Sequence, residues 1–90
     1  MIVIKKFEKP GCRPCAVLDV YLSEYDFDSL GVKLEKVDVT TLTDEELEAL
    51  KLTSVPTLIF YRNGHEMARL VGLKSMDEFE DCLRQAKEGR

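Results

Sequence analysis

The chain has 90 residues, 44% of them hydrophobic and 33% charged, with a formal net charge of -4. That length supports one small core, so residues 1–90 are expected to form a single domain, and the composition excludes both a disordered chain and an apolar run of the roughly 20 residues that span a bilayer. The acidic excess argues against general nucleic-acid binding, and three cysteines are an odd number too small to staple a secreted scaffold.

Ile2 to Phe7 reads as the first strand, a short run of strong strand formers bounded by Pro10-Gly11. Met1 to Ile4 is too short for the apolar part of an export signal and is followed by Lys5 and Lys6, so a reducing cytoplasm is the expected location. The strand delivers the chain to Lys9-Pro10-Gly11-Cys12-Arg13-Pro14-Cys15, where two cysteines three positions apart open an amphipathic segment. On the first turn of a helix such positions share a face, about 5 to 6 Å apart at Cβ, so the sulfurs exchange between dithiol and bridge with little movement. Cys12, at the helix N-terminus, faces unsatisfied N–H groups that favour its thiolate and is expected to be the nucleophile. Cys15 falls on the stripe Cys15, Leu18, Leu22, Tyr25, the side that faces the core, and is expected to resolve. Pro14 suits a first helical turn, where its missing N–H costs nothing. Lys5, Lys6, Lys9 and Arg13 against Glu8 give residues 1–15 a local +3 and leave -7 for the rest of the chain: either a positive collar that favours thiolate, or, for Lys5 and Lys6, solvated charges that only flank the strand.

The first helix is expected over Cys12 to Tyr25, with Asp26 to Gly31 as its exit, and Val32 to Val39 as a second strand joined to the first by a right-handed parallel crossover. Thr43 and Glu46 form a capping box for a short helix ending near Lys51, with Leu47 and Leu50 inward. Thr57 to Tyr61 and Met67 to Val71 flank Arg62-Asn63-Gly64, a strong hairpin signal. Ser75 and Glu78 form a second capping box, opening a helix whose inward stripe is Phe79, Cys82, Leu83 and Ala86. The expected architecture is α/β: a four-stranded mixed sheet in the order β-α-β-α-β-β-α, flanked by three helices.

The CxxC with proline in its third place, Val55-Pro56-Thr57 before the hairpin, and Asn63-Gly64 followed by Val71-Gly72 make the chain resemble a small member of the thioredoxin family over nearly its whole length. The resemblance implies a dithiol oxidoreductase that reduces protein disulfides through a mixed disulfide on Cys12, with Cys15 releasing the product. It implies a cis bond at Pro56, with the Val55 backbone pairing with substrate, and a docking surface around Gly11, Pro56 and Gly72. It implies a monomer with no organic cofactor and no metal, recharged by a flavoprotein similar to thioredoxin reductase or by glutathione. Neither nucleic acid nor membrane is an expected partner.

Several positions depart from the family pattern. Gly11 stands where tryptophan is common, and Lys9-Pro10-Gly11-Cys12 is closer to glutaredoxin, whose minimal four-stranded core the chain also resembles. Lys6 stands where thioredoxins keep a buried aspartate, leaving Glu8 or water as a stand-in or Lys6 pointing outward. Arg13 replaces a common glycine, so Arg13, Pro14 and Lys6 are the residues expected to tune the thiols. Three other readings compete. A glutathione-dependent enzyme is one, opposed by Pro14 and by Gly72-Leu73-Lys74-Ser75, which lacks the Gly-Gly and aspartate of a glutathione site. A metal module built on Cys12, Cys15, His65 and Cys82 is another, and a noncatalytic interaction domain is the third.

Overall fold

In a computed structural model describing residues 1–89, four strands form one mixed sheet in the order β2-β1-β3-β4. The central strand β1 (Ile2–Glu8) runs parallel to β2 (Val32–Asp38), with Ile2 beside Val32 and Glu8 beside Asp38. Its other neighbour, β3 (Thr57–Arg62), is antiparallel, as is β4 (His65–Val71) to β3. Asn63 and Gly64 turn the hairpin with φ of 51° and 84°, the left-handed pair that a tight two-residue connection requires.

Helix α1 (Arg13–Leu22) provides the crossover between β1 and β2, α3 (Asp44–Ala49) lies between β2 and β3, and α4 (Met76–Glu88) closes the described chain. Both capping boxes form: Thr43 caps α3 with Glu46 reaching back, and Ser75 caps α4 with Glu78. The stripe Phe79, Cys82, Leu83, Ala86 is buried. Phe79 has no exposed surface, and its ring meets those of Tyr25, Phe27 and Phe60 at centroid distances of 5.1, 6.3 and 5.6 Å. Burying one such side chain stabilises the fold by about 2 to 3 kcal/mol.

Two short elements add to the expected set. Helix α1 stops at Leu22 rather than Tyr25, and Asp26 caps a separate turn, α2 (Phe27–Leu30), by accepting from the Ser29 amide at 3.3 Å and its hydroxyl at 2.7 Å. This break lets Tyr25 and Phe27 stack on each other and both reach Phe79. Strand β2 ends at Asp38 rather than Val39, because the Asp38 carboxylate accepts from the Thr40 amide at 2.9 Å and starts a 3-10 turn over Val39–Thr41.

Candidate active site

Backbone alternation sends Ile2, Ile4, Lys6 and Glu8 to one face of β1, and the register puts Leu34, Lys36 and Asp38 of β2 beside the last three. Ile4 joins the core formed with Leu18, Leu22, Phe60 and Phe79, so that face is apolar at one end and charged at the other. The first turn of α1 stands at the charged end.

Cys12 is the N-cap of α1, half-buried, with φ of -84° and ψ of 107°. Its sulfur accepts from the Cys15 amide at 3.2 Å, and the Ala16 amide reaches its carbonyl at 3.2 Å. Cys12 and Cys15 are joined as a disulfide with Cα atoms 5.3 Å apart. Cys15 is buried with Leu18 and Leu22, while Arg13 and Pro14 lie exposed on the first turn. The two sulfurs therefore differ: one sits at the rim among backbone donors, the other beneath it in the core.

The Val55–Pro56 peptide is cis, Pro56 is buried, and its carbonyl accepts from the Gly72 amide at 2.8 Å. That bond ties the segment before β3 to the end of β4. The cysteine pair opens on a cleft of about 260 Å³ that also takes in Gly11, Glu8, Asp19 and Asp38. Lys9 lines this cleft and a neighbouring one of about 200 Å³ walled by Val39, Leu47, Leu52 and Val55.

The expected collar is thinner than the charge count implies. Lys6 does not point outward: it is fully buried, and its ammonium donates to Glu8 Oε1 and, at 2.9 Å, to Asp19 Oδ1. Lys5 lies on the opposite face of the sheet, 5.5 Å above the Tyr61 ring. Lys9 and Arg13 remain exposed beside the bridge. The Lys6 pairing brings in Asp19, which the sequence reading did not single out; its position one helical turn after Cys15 was the available signal. Burial pulls the Asp19 carboxyl upward, but hydrogen bonds from Lys6 and Lys36 outweigh it and hold it below the usual carboxylate range.

Cys82 is buried on α4, where burial, Asp81 and Glu78 push its thiol upward, the behaviour of a small core side chain. His65 is exposed at the start of β4. Among the described residues no group of three or more His, Cys, Asp and Glu side chains is disposed to hold a metal, and no helix is long and apolar enough to cross a membrane.

The sequence profile of a family described as a thioredoxin-like domain matches residues 3–87. The chain is 30% identical over 84 residues to the thioredoxin of Chlamydia pneumoniae, covering 93% of this chain and 81% of that one. Against the mitochondrial thioredoxin of Bos taurus it is 32% identical over 84 residues, covering 92% of this chain but only 50% of the longer relative. Among solved structures, thioredoxin f2 of Chlamydomonas reinhardtii superposes with a TM-score of 0.79 at 26% identity, over 93% of this chain and 77% of that one. The oxidised thioredoxin of Plasmodium falciparum gives 0.76 at 27%, over 94% and 81%.

Proposed function

This chain belongs to the thioredoxin-like family and is a protein-disulfide oxidoreductase, and we propose that it works by thiol-disulfide exchange through Cys12 and Cys15. The observation that carries the reading is the Cys12–Cys15 bridge, with one sulfur at the α1 N-cap and the other buried. In the reduced protein the Cys12 thiolate attacks one sulfur of a substrate disulfide and forms a mixed disulfide, expelling the other sulfur as a thiolate. Cys15 then attacks Cys12 Sγ, the bridge closes, and the second substrate sulfur leaves reduced.

The substrate is an extended segment of a disulfide-bonded protein, paired with the Val55 backbone beside Pro56. Gly11 and Gly72 lack side chains that would hinder its approach. The cleft between Val39, Leu47, Leu52 and Val55 suits an apolar side chain of that segment. Residues 1–90 act as one domain and a monomer in a reducing compartment, and a flavoprotein reductase returns the bridge to the dithiol.

The reduction potential tests this. The protein is equilibrated against defined dithiothreitol or glutathione ratios and its alkylated thiols are counted by mass. A value near roughly -270 mV supports a reductant recharged by a flavoenzyme, and one near roughly -200 to -230 mV supports glutathione as the donor. Failure of Cys12 and Cys15 to bridge overturns the reading.

Arg13 bears on that value. A permanent positive charge on the residue next to Cys12 stabilises the thiolate and hence the reduced form, making the couple more oxidising. Arg13→Gly is expected to raise the Cys12 pKa and to lower the potential, both modestly because Arg13 is exposed. Thiolate ultraviolet absorbance followed against pH in the two proteins checks it; an unchanged midpoint removes the role.

A further inference from the structure

A lysine with no exposed side-chain surface is costly unless it is paired, and packing alone gives no reason for one. Lys6 occupies the inward face of β1 where the apolar series Ile2, Ile4 breaks off, and it binds two carboxylates. Both of those, Glu8 and Asp19, line the cleft onto which Cys12 and Cys15 open. The charged end of the sheet is thus placed against the sulfur chemistry rather than scattered over the surface.

Cys15 is 4% exposed, so its thiol has little direct access to bulk water, yet it must lose a proton before it can attack. Three carboxylates border the cleft it shares. Asp38 is engaged as the cap of the 3-10 turn, accepting from the Thr40 amide and hydroxyl at 2.9 and 2.7 Å. Asp19 is shared between two ammonium groups, Lys6 at 2.9 Å and Lys36 at 3.1 Å, which makes it a weak base. Glu8 is held through Oε1 by Lys6 alone, and its side chain is 25% exposed. Its second oxygen accepts no hydrogen bond among the described residues.

Resting on the exchange reaction above, we propose that Glu8 accepts the Cys15 proton across the cleft, and that Lys6 is the positioning residue that fixes the Glu8 carboxylate at the cleft wall. A cleft of this size and polarity holds water that can relay the proton. The S–H bond of Cys15 breaks and its proton passes to Glu8. The electron pair left on Cys15 Sγ attacks Cys12 Sγ, so the Cys12–Cys15 bond forms as the bond from Cys12 to the substrate breaks. The substrate sulfur leaves with the electron pair of the broken bond and is protonated by Glu8 or by water. Over the cycle the two cysteine thiols are oxidised and one substrate disulfide is reduced.

Stopped-flow reaction of the reduced protein with an aryl disulfide separates the steps, because one aryl thiolate is released as the mixed disulfide forms and the second as Cys15 resolves it. Glu8→Gln is expected to leave the first phase unchanged and slow the second about tenfold or more at neutral pH. The difference should narrow at alkaline pH, where hydroxide can take the thiol proton without a carboxylate. Glu8→Asp should fall between the two. The double variant Lys6→Met with Glu8→Gln leaves no unpaired buried ammonium, so it carries the same readout if the single variant folds poorly. A second phase with the wild-type rate and pH profile in Glu8→Gln or in the double variant overturns the proposal while leaving the exchange reaction standing. A slowing by Asp19→Asn larger than that by Glu8→Gln overturns the assignment to Glu8. Absence of a first phase in the unaltered protein ends the exchange reading and this proposal together.

Discussion

Cys12→Ser is expected to reduce disulfide-reductase activity to the rate of buffer alone, whereas Cys15→Ser should accumulate a stable adduct with the substrate. The asymmetry follows from the two positions. Cys12 is half-buried at the N-cap, where the Cys15 amide donates to its sulfur and would stabilise a thiolate once the bridge is reduced. A serine hydroxyl there does not attack disulfides. Cys15 is beneath it, so without Cys15 the first exchange proceeds and nothing resolves it. Mass spectrometry of Cys15→Ser mixed with a disulfide-bonded protein should find about one substrate per chain, released by dithiothreitol. An adduct on Cys15 in Cys12→Ser, with none on Cys12 in Cys15→Ser, would reverse the roles.

What the sequence made legible was mainly local. The CxxC, the two capping boxes and Asn63-Gly64 each fix a few neighbouring residues, and each forms as its spacing implies. The one-turn α2 was hidden because its signals, Asp26 as cap and Gly31 at φ of 70°, fall where a helix exit also fits. Lys6 shows a different limit. Strict alternation after Ile2 and Ile4 turns it inward, but lysine is almost never fully buried, and composition supports the opposite reading. Only the crossover decides, because it sets α1 on that face of the sheet with Asp19 in reach of the ammonium. The positive collar is thinner than the charge count implies for the same reason. A count of charges along the chain does not know that one of four cations is neutralised inside the fold.

That buried ion group should be the most stability-sensitive polar feature of the site. Glu8→Gln with Asp19→Asn removes both negative partners of Lys6 while keeping their shapes. An uncompensated buried charge costs about 3 to 5 kcal/mol, and the partial exposure of both carboxylates argues for the lower end, about 3 kcal/mol. Adding Lys6→Met to that pair removes the charge itself, and the triple variant should regain most of the loss, because an apolar side chain of similar volume suits a site on the border of the core. Equilibrium urea unfolding of the three proteins measures this. A double variant as stable as the parent, or a triple variant no better than the double, would show that Lys6 draws little stability from these partners. Acid gives the same information by another route. Asp19 is held below its unfolded value of 3.8, so the stability it contributes is fully present above that value and is lost as the pH falls through its lower, folded one. The acid-unfolding limb of Asp19→Asn should therefore be shallower than that of the parent, while the two proteins differ by a constant amount at neutral pH.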